Sequence, residues 1–502
     1  MTILGISAGF HDAAVSLINN SGDILFAGHS ERYSKIKNDL HLNNDIIKEA
    51  LEHGTPNTLA YYERPWMKKI LQLYSGQYHE ALNTSNLTLG QYLRKHISNP
   101  VYLKPLLRCS RKYMSHHLSH AAGGFQTSPF DEAAVVVIDA IGELDTISIY
   151  RAWYDSDNKA NYQRVWRQGY PHSIGLFYSS LTQQCGLHPM DEEYITMGMS
   201  GWGDSRRWAS KMYDRFIQNF EKLEFKDNLH LGWPEDFAAD ARPVDLAAAG
   251  QFICENLISQ VMMTAAKLVN TKNLVYMGGV ALNCLANRNL GDYFDNIWIM
   301  PCPGDAGSSL GAAALAYGKR INWSNAYLGH DIPGNYPVND LLAYLSTFGI
   351  VGVASGRAEF GPRAFGQRSL LADPRGPEIK DQVNEIKRRQ KFRPFAPVIL
   401  EELVDDYFDM PRGFSNSRYM QVVARCRHPD LFPAIIHVDG TSRVQTVPND
   451  GSGIRQLLEA WYKKTGCPML LNTSLNIRGE PMVNDRADAD RFETLYGIKV
   501  FS

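Results

Sequence analysis

The sequence predicts an α/β protein whose larger, N-terminal part uses one plan twice and whose smaller C-terminal part is rich in cations. Three observations lead there. Residues 3–18 (ILGISAGFHDAAVSLI) read as strand, glycine turn, strand, and residues 134–151 (AVVVIDAIGELDTISIYR) repeat that plan. Two later breaks, MGGVALN and PGDAGSSLGAA, pair a glycine-bearing turn with a small-residue helix. From Arg357 to Arg393 ten Arg or Lys stand against five Asp or Glu, a change of composition that marks a second domain.

The repeated unit presents polar groups at its loop: His11 and Asp12 in the first copy, Asp139 and Glu143 in the second. Two such copies are what a duplicated nucleotide-binding fold of the actin, Hsp70 and sugar-kinase type would show. Glycine-turn hairpins are common in other folds too, so this reading stands beside the ordinary one.

At 502 residues the chain has room for several domains. Its formal net charge of -2, from 51 basic and 53 acidic residues, argues against a protein held on nucleic acid by overall charge. A local basic patch stays open. Seven scattered cysteines without a CxxC indicate neither a disulfide framework nor a thiolate zinc site, which fits a reduced, cytoplasmic setting. The start MTILGISAG lacks a signal-like core and no apolar run approaches a membrane span, so no membrane association is expected.

After the first hairpin, SERYSKIKNDL places Lys37 where it could reach a phosphate, although such runs are usually solvated. Helical periodicity covers Asn44 to His53. YYERP, at 61–65, joins two aromatics to Glu63 and Arg64, where packing at a strand end competes with substrate contact.

The stretch from Ser115 to Asp139 carries the strongest chemistry. His116 and His120 are four apart, so a helix puts both imidazoles on one face. Asp139 then ends an apolar strand, where open α/β sheets place their ligands. Two imidazoles and a carboxylate favour iron, zinc or manganese over calcium. Any one of these histidines alone would read as a satisfied core or surface residue.

From 170 to 203 a helix over Gly175–Cys185 and glycines at 198, 201 and 203 are expected, with Glu192 and Glu193 in a polar break. Those acids are surface residues by default and candidates for a polyhydroxylated or amine-bearing substrate. A helix from about Leu246 to Val269 leads to the Gly278-Gly279 turn, whose backbone amides would face an anion or nucleotide at a helix start. Asp305, in the next such turn, is a candidate fourth metal ligand. Residues 319 to about 345, rich in Pro, Gly and Asn, read as the linker. Beyond it the cations alternate with Gly, Pro and Phe, as in a shaped pocket, and HVDGTSRVQTV and LNTSLNIRGEP add Arg443, Asn472, Ser474, Asn476 and Arg478.

Taken together, GFHDAA, HHLSHA, MGGVALN, PGDAGSSLGAA, GRAEFGPRAFGQRS, HVDGTSRVQTV and LNTSLNIRGEP make the chain resemble the O-carbamoyltransferase family, in the family's order from residue 5 to 483. The resemblance implies an actin/Hsp70-like (ASKHA, Kae1-like) domain over residues 1–340 and a smaller YrdC-like α/β domain over 346–502. It implies that carbamoyl phosphate and ATP, with Mg²⁺, form carbamoyl adenylate, and that the carbamoyl group passes to an acceptor hydroxyl.

On that resemblance His116, His120, Asp139 and Asp305 hold Fe²⁺ or another divalent metal, and His11 is the general base with Asp12 beside it. Lys37, Gly278, Gly279 and Asn283 meet the nucleotide, while Arg363, Arg368, Lys387, Arg393, Asn472 and Ser474 take carbamoyl phosphate. A small molecule, a sugar, a nucleotide or a nucleic acid all satisfy the acceptor chemistry, and a homo-oligomer is compatible. Another class, a non-catalytic nucleotide-binding switch, leaves the histidine pair and the arginine-rich part unexplained. The chain departs from the family at Ile195, where many relatives carry lysine.

Overall fold

The computed structural model describes residues 2–74, 88–234 and 236–502. In the first sheet, β1 (Ile3–Ser7), β2 (Ala14–Ile18) and β3 (Ile24–His29) form an antiparallel meander. The other edge of β1 pairs in parallel with β4 (Thr58–Tyr61), and β4 with β5 (Ser110–Tyr113). The order is β3-β2-β1-β4-β5.

The second sheet uses β6 (Glu132–Gly142), β7 (Asp145–Tyr154), β8 (Ala160–Gly169), β9 (Asn273–Met277) and β10 (Asn296–Trp298). Its order, β8-β7-β6-β9-β10, has the same senses: antiparallel from β6 to β8, parallel from β6 to β10. The weak repeat in the sequence is therefore a repeat of topology, with β1-β2 and β6-β7 as equivalent hairpins.

Strands β1 and β2 are buried throughout, as expected for apolar strands covered on both faces. Two helices, His116–Thr127 and Ser308–Tyr317, lie between the sheets, and Ala121, Phe125, Leu310 and Ala313 share one core with Ile3, Ile6, Val135 and Val137. The approach is close enough to demand glycine. A Cβ on Gly311 would fall 1.8 Å from the Ser119 carbonyl oxygen, and one on Gly5 1.9 Å from that of Ser309. The outer face of the second sheet packs on helices Ile174–Gln184 and Pro243–Leu268.

Because both sheets run their parallel strands the same way, the segments leaving β1, β4, β5, β6, β9 and β10 gather at one end. Across that end Arg64, after β4, donates to Glu143 in the β6-β7 turn through its backbone N–H (2.7 Å) and its guanidinium (2.5 Å).

The C-terminal sheet runs Gln445–Val447, Ala396–Leu400, Met469–Ser474, Arg368–Ala372, Ile350–Ala354, Val500–Phe501. It has its own core with helices Val338–Phe348 and Gly453–Thr465. The stretch read as a linker is more than a tether. Within it Tyr327–Ile332 is a strand, antiparallel to Gly356–Glu359. Leu328 and Ile332 are buried there, and Arg357 donates to the carbonyls of Leu25 and Leu328. Among the described residues no helix is long and apolar enough to cross a membrane.

Candidate metal centre and anion site

His116 begins the helix that follows β5, and His120 stands one turn on. Asp139 sits where the β6-β7 register shifts, between Ile138 and Gly142, just past the last parallel pair with β9. Asp305 opens the turn before the Ser308–Tyr317 helix. These four residues, distant in sequence, bring one donor atom each within 4.8 Å of all the others.

The two imidazole Nε2 atoms are 3.1 Å apart. Asp139 Oδ2 lies 3.2 and 3.4 Å from His116 and His120, and Asp305 Oδ1 3.3 and 3.2 Å. These separations are of the size that donors sharing one cation take. The orientations suit it. His120 Nδ1 donates to the Pro303 carbonyl at 3.0 Å, which turns the Nε2 lone pair inward. Asp139 Oδ1 accepts from the Ala140 N–H (2.9 Å) and the Gly279 N–H (3.4 Å), leaving Oδ2 for the centre.

The electrostatics point the same way. Burial opposes charge on His116, yet the Asp305 charge and its contacts with Asp139 and Asp305 raise its pKa well above the ordinary value. Burial likewise opposes charge on Asp139, and its contacts with both histidines nevertheless drive its pKa well down. Two carboxylates and two inward imidazoles at these distances need protons or a divalent cation between them. The donor set fits a borderline divalent metal.

His11 lies near this centre, in the β1-β2 loop. Its Nδ1 is 2.9 Å from Asp12 Oδ2 and its Nε2 donates to the Met190 carbonyl at 2.7 Å. Burial opposes charge here too, but the Asp12 hydrogen bond and charge prevail and hold the pKa up at about 10. Both ring nitrogens therefore carry protons, whereas a general base needs a free lone pair. Lys37 pairs with Glu31 at 2.9 Å and adds its charge to those acting on Asp12.

The Gly278-Gly279 turn does lie beside the centre. Gly278 takes φ 91° and has Ile138 so close that a Cβ would fall 2.1 Å from its carbonyl oxygen. Asn283 is engaged inside the protein: its amide exchanges hydrogen bonds with Gln251 (3.0 and 3.1 Å), and its oxygen accepts from the Ala286 N–H.

The expected carbamoyl phosphate residues divide into three groups. Lys387 and Ser474 come together, the ammonium donating to the Ser474 and Asn476 carbonyls. Arg393 stacks over Tyr194, 4.8 Å from the ring centre. Arg389, not singled out from the sequence, joins them. Burial first, and then Arg389 and Arg393, push the Lys387 pKa well down. For Arg389 burial is followed by Arg393 and Arg443. Such depression by neighbouring cations marks positive charges gathered in a buried setting, with Glu192 the acid that acts on Arg393.

Arg363 forms the second group. It is a staple, its guanidinium donating to the carbonyls of Tyr419, Met420 and Leu282. Arg368 and Asn472 form the third, inside the sheet. The fully buried Arg368 spends its N–H groups on the carbonyls of Asn484, Ser355, Gly356 and His330. Asn472 donates to Ala364 and Gln445.

Two further residues shape the Arg363 loop. One oxygen of buried Glu359 accepts from the backbone N–H groups of Phe365, Gln367 and Arg368 at 2.8, 2.8 and 3.2 Å. His29, at the end of β3, accepts the Gly361 N–H at 3.0 Å, in keeping with a pKa lowered to about 4 by burial and the Arg32 charge. The only trace of the first in sequence is an acid standing inside a cation-rich loop. Glu192 and Glu193, weighed as substrate ligands, are bound internally: Glu192 pairs with Arg478 at 2.6 Å, and Glu193 accepts from Ser179 and the Met190 N–H.

Residues 2–314 match the family model described as carbamoyltransferase N-terminus, and residues 343–501 the one described as carbamoyltransferase C-terminus. An uncharacterized protein of Synechocystis is 32% identical over 97% of this chain and 93% of its own length. Nodulation protein NolNO of Sinorhizobium fredii is 29% identical over 95% and 76%. Nodulation protein NolO of Bradyrhizobium diazoefficiens is 32% identical over 75% of each.

Proposed function

The chain belongs to the carbamoyltransferase family, and from that premise we propose that it is an ATP-dependent O-carbamoyltransferase acting on a hydroxyl of a small molecule, sugar or nucleotide. In this reading residues 346–502, as a YrdC-like domain, let water release phosphate from carbamoyl phosphate, and the carbamate oxygen then attacks the α-phosphorus of ATP·Mg²⁺, giving carbamoyl adenylate as pyrophosphate leaves. Residues 1–340, as a Kae1-like domain, then pass the carbamoyl group to the acceptor.

The observation that carries the proposal is the gathering of Lys387, Arg389 and Arg393: the Lys387 ammonium lies against Ser474 and Asn476, Arg393 lies over Tyr194, and burial followed by neighbouring cations disfavours charge on Lys387 and Arg389. Cations kept together at such cost suit a phosphate dianion that neutralises them on binding. Ser474, beside Lys387, now donates its hydroxyl to Asn476 Oδ1 at 2.6 Å and would have to turn from it to meet the same anion. Arg363, Arg368 and Asn472 contribute by fixing the walls, since their N–H groups are spent on the protein.

Iron or another divalent ion held by His116, His120, Asp139 and Asp305 would supply Lewis-acid polarisation of a phosphate or carbamoyl oxygen. In this reading the Gly278-Gly279 backbone and Lys37 meet a nucleotide phosphate; the turn's position beside Asp139 supports it, and Lys37 would have to leave Glu31 to take part. The acceptor hydroxyl loses its proton as its oxygen attacks the carbamoyl carbon, and AMP leaves. His11 can receive that proton only after its Nε2 has given up both its own proton and the Met190 carbonyl. Asp12 keeps the ring oriented throughout.

The test is exchange of ³²P-pyrophosphate into ATP. Exchange that depends on carbamoyl phosphate is the expected result; its absence from metal-replete protein would overturn the adenylate route. A gain of 43 Da on a candidate hydroxyl, from H replaced by CONH₂, identifies the acceptor.

A further inference from the structure

The segment His188–Glu193 joins three parts of the molecule that the reaction has to coordinate. Its Met190 carbonyl takes the proton of His11 Nε2 at 2.7 Å. Asp191 accepts from Asn38, close to Lys37 in the chain, at 2.7 Å. Glu192, only 5% exposed, receives the Arg478 guanidinium at 2.6 Å, and Arg478 in turn donates its backbone N–H to the carbonyl of Lys387 at 3.1 Å.

Inside the segment the bonds are tight. Glu192 accepts the His188 N–H at 3.1 Å, Glu193 accepts the Met190 N–H at 2.6 Å, and Met190 stands at φ 66°, which a methionine seldom adopts. The left-handed backbone at Met190 aims its carbonyl at His11, and it persists because its neighbours hold it.

We propose that Glu192 is a positioning residue whose pairing with Arg478 keeps the Met190 carbonyl on His11, so that an anion at the Lys387–Arg393 cluster frees His11 by drawing Arg478 away. The inference rests on the carbamoyl-transfer reading for the meaning of that release. Arg478 stands between one carboxylate and the cation cluster, with its charge felt by Arg393. A phosphate dianion arriving there competes with Glu192 for the guanidinium. The imidazole would then be exposed to an acceptor only after the donor has bound, which protects the activated carbamoyl group from reaching water through an open acceptor site.

The experiment needs no acceptor. Diethyl pyrocarbonate acylates an accessible, unprotonated imidazole nitrogen, so losing the Met190 carbonyl, which helps hold the second proton, raises both access and the reactive fraction. Peptide mass spectrometry reads the rate at His11 against the exposed His230 as internal reference. Glu192→Gln and, independently, Arg478→Met are expected to raise the His11 rate roughly tenfold with His230 unchanged, the scale of losing one charge-assisted hydrogen bond. Glu192→Asp is expected to restore much of the protection. In the unaltered protein, saturating carbamoyl phosphate should raise the rate in the same way.

Equal His11 rates in the unaltered protein and both variants would overturn the proposal, as would protection unmoved by carbamoyl phosphate. Pyrophosphate exchange in the same samples separates the two readings. Exchange with unchanged His11 labelling sinks only this inference, while absent exchange with faster labelling in the variants sinks the adenylate route and leaves the hold of Glu192 on His11 standing.

Discussion

His116 and His120 face each other through their Nε2 atoms at 3.1 Å, one turn apart on a single helix, and Asp305 Oδ1 lies within 3.3 Å of both. Neutral imidazoles do not turn two lone pairs on each other unless a cation or a proton lies between them. The arrangement leads to the first expectation.

Replacing His120 with Ala should reduce bound divalent metal from near one per chain to less than about a tenth of that, since even outer partners of a metal site are worth ten- to hundredfold in affinity. Elemental analysis of the purified protein reads the result. Unchanged metal content would remove the centre from this account.

The His11–Asp12 pair makes stability depend on pH in a definite direction. The His11 pKa is raised from 6.5 to about 10, so its contribution is complete below 6.5 and is lost as pH climbs toward 10. That of Asp12 is lowered, so its share is present above the ordinary carboxylate range and lost as pH falls through its folded value. The melting-temperature gap between the protein and its His11→Ala variant should therefore narrow steadily from pH 6.5 to 10.

Glu359→Ala strips the acceptor from three backbone N–H groups in the Arg363 loop. Leaving buried donors unpaired costs about 1–3 kcal/mol each, so a loss of roughly 3 kcal/mol or more is expected in urea unfolding. Glu359→Gln, which keeps one oxygen, should lose less than half of that.

Arg393→Gln removes one cation from the cluster without uncoupling a buried carbonyl. The KM for carbamoyl phosphate in pyrophosphate exchange should rise about tenfold or more, the value of a charge-assisted contact, with metal content unchanged.

Much of this site was readable in the sequence because its signals are local. Histidines four apart on a helix share a face, and aspartates in the turns after apolar strands converge when the strands are parallel neighbours. The repeated hairpins were readable for the same reason. What escaped depends on partners far along the chain. Arg368 looks like a phosphate ligand until Asn484, 116 residues later, takes one of its N–H groups. Asn283 looks like a nucleotide contact until Gln251 takes its amide. His11 reads as a base until a carbonyl 179 residues away claims its second nitrogen. The supposed linker hid a strand because Pro, Gly and Asn at its ends outweigh the short apolar stretch between them.

The four metal donors come from different copies of the repeated plan. His116 and His120 follow the last strand of the first sheet, whereas Asp139 lies near the end of β6 and Asp305 follows β10, both of the second. Neither copy alone can chelate an ion, and the glycine-lined helix contact sets how closely the copies mate. An ion bound by all four would therefore join the two copies, and only a chain whose copies have docked brings the four donors together.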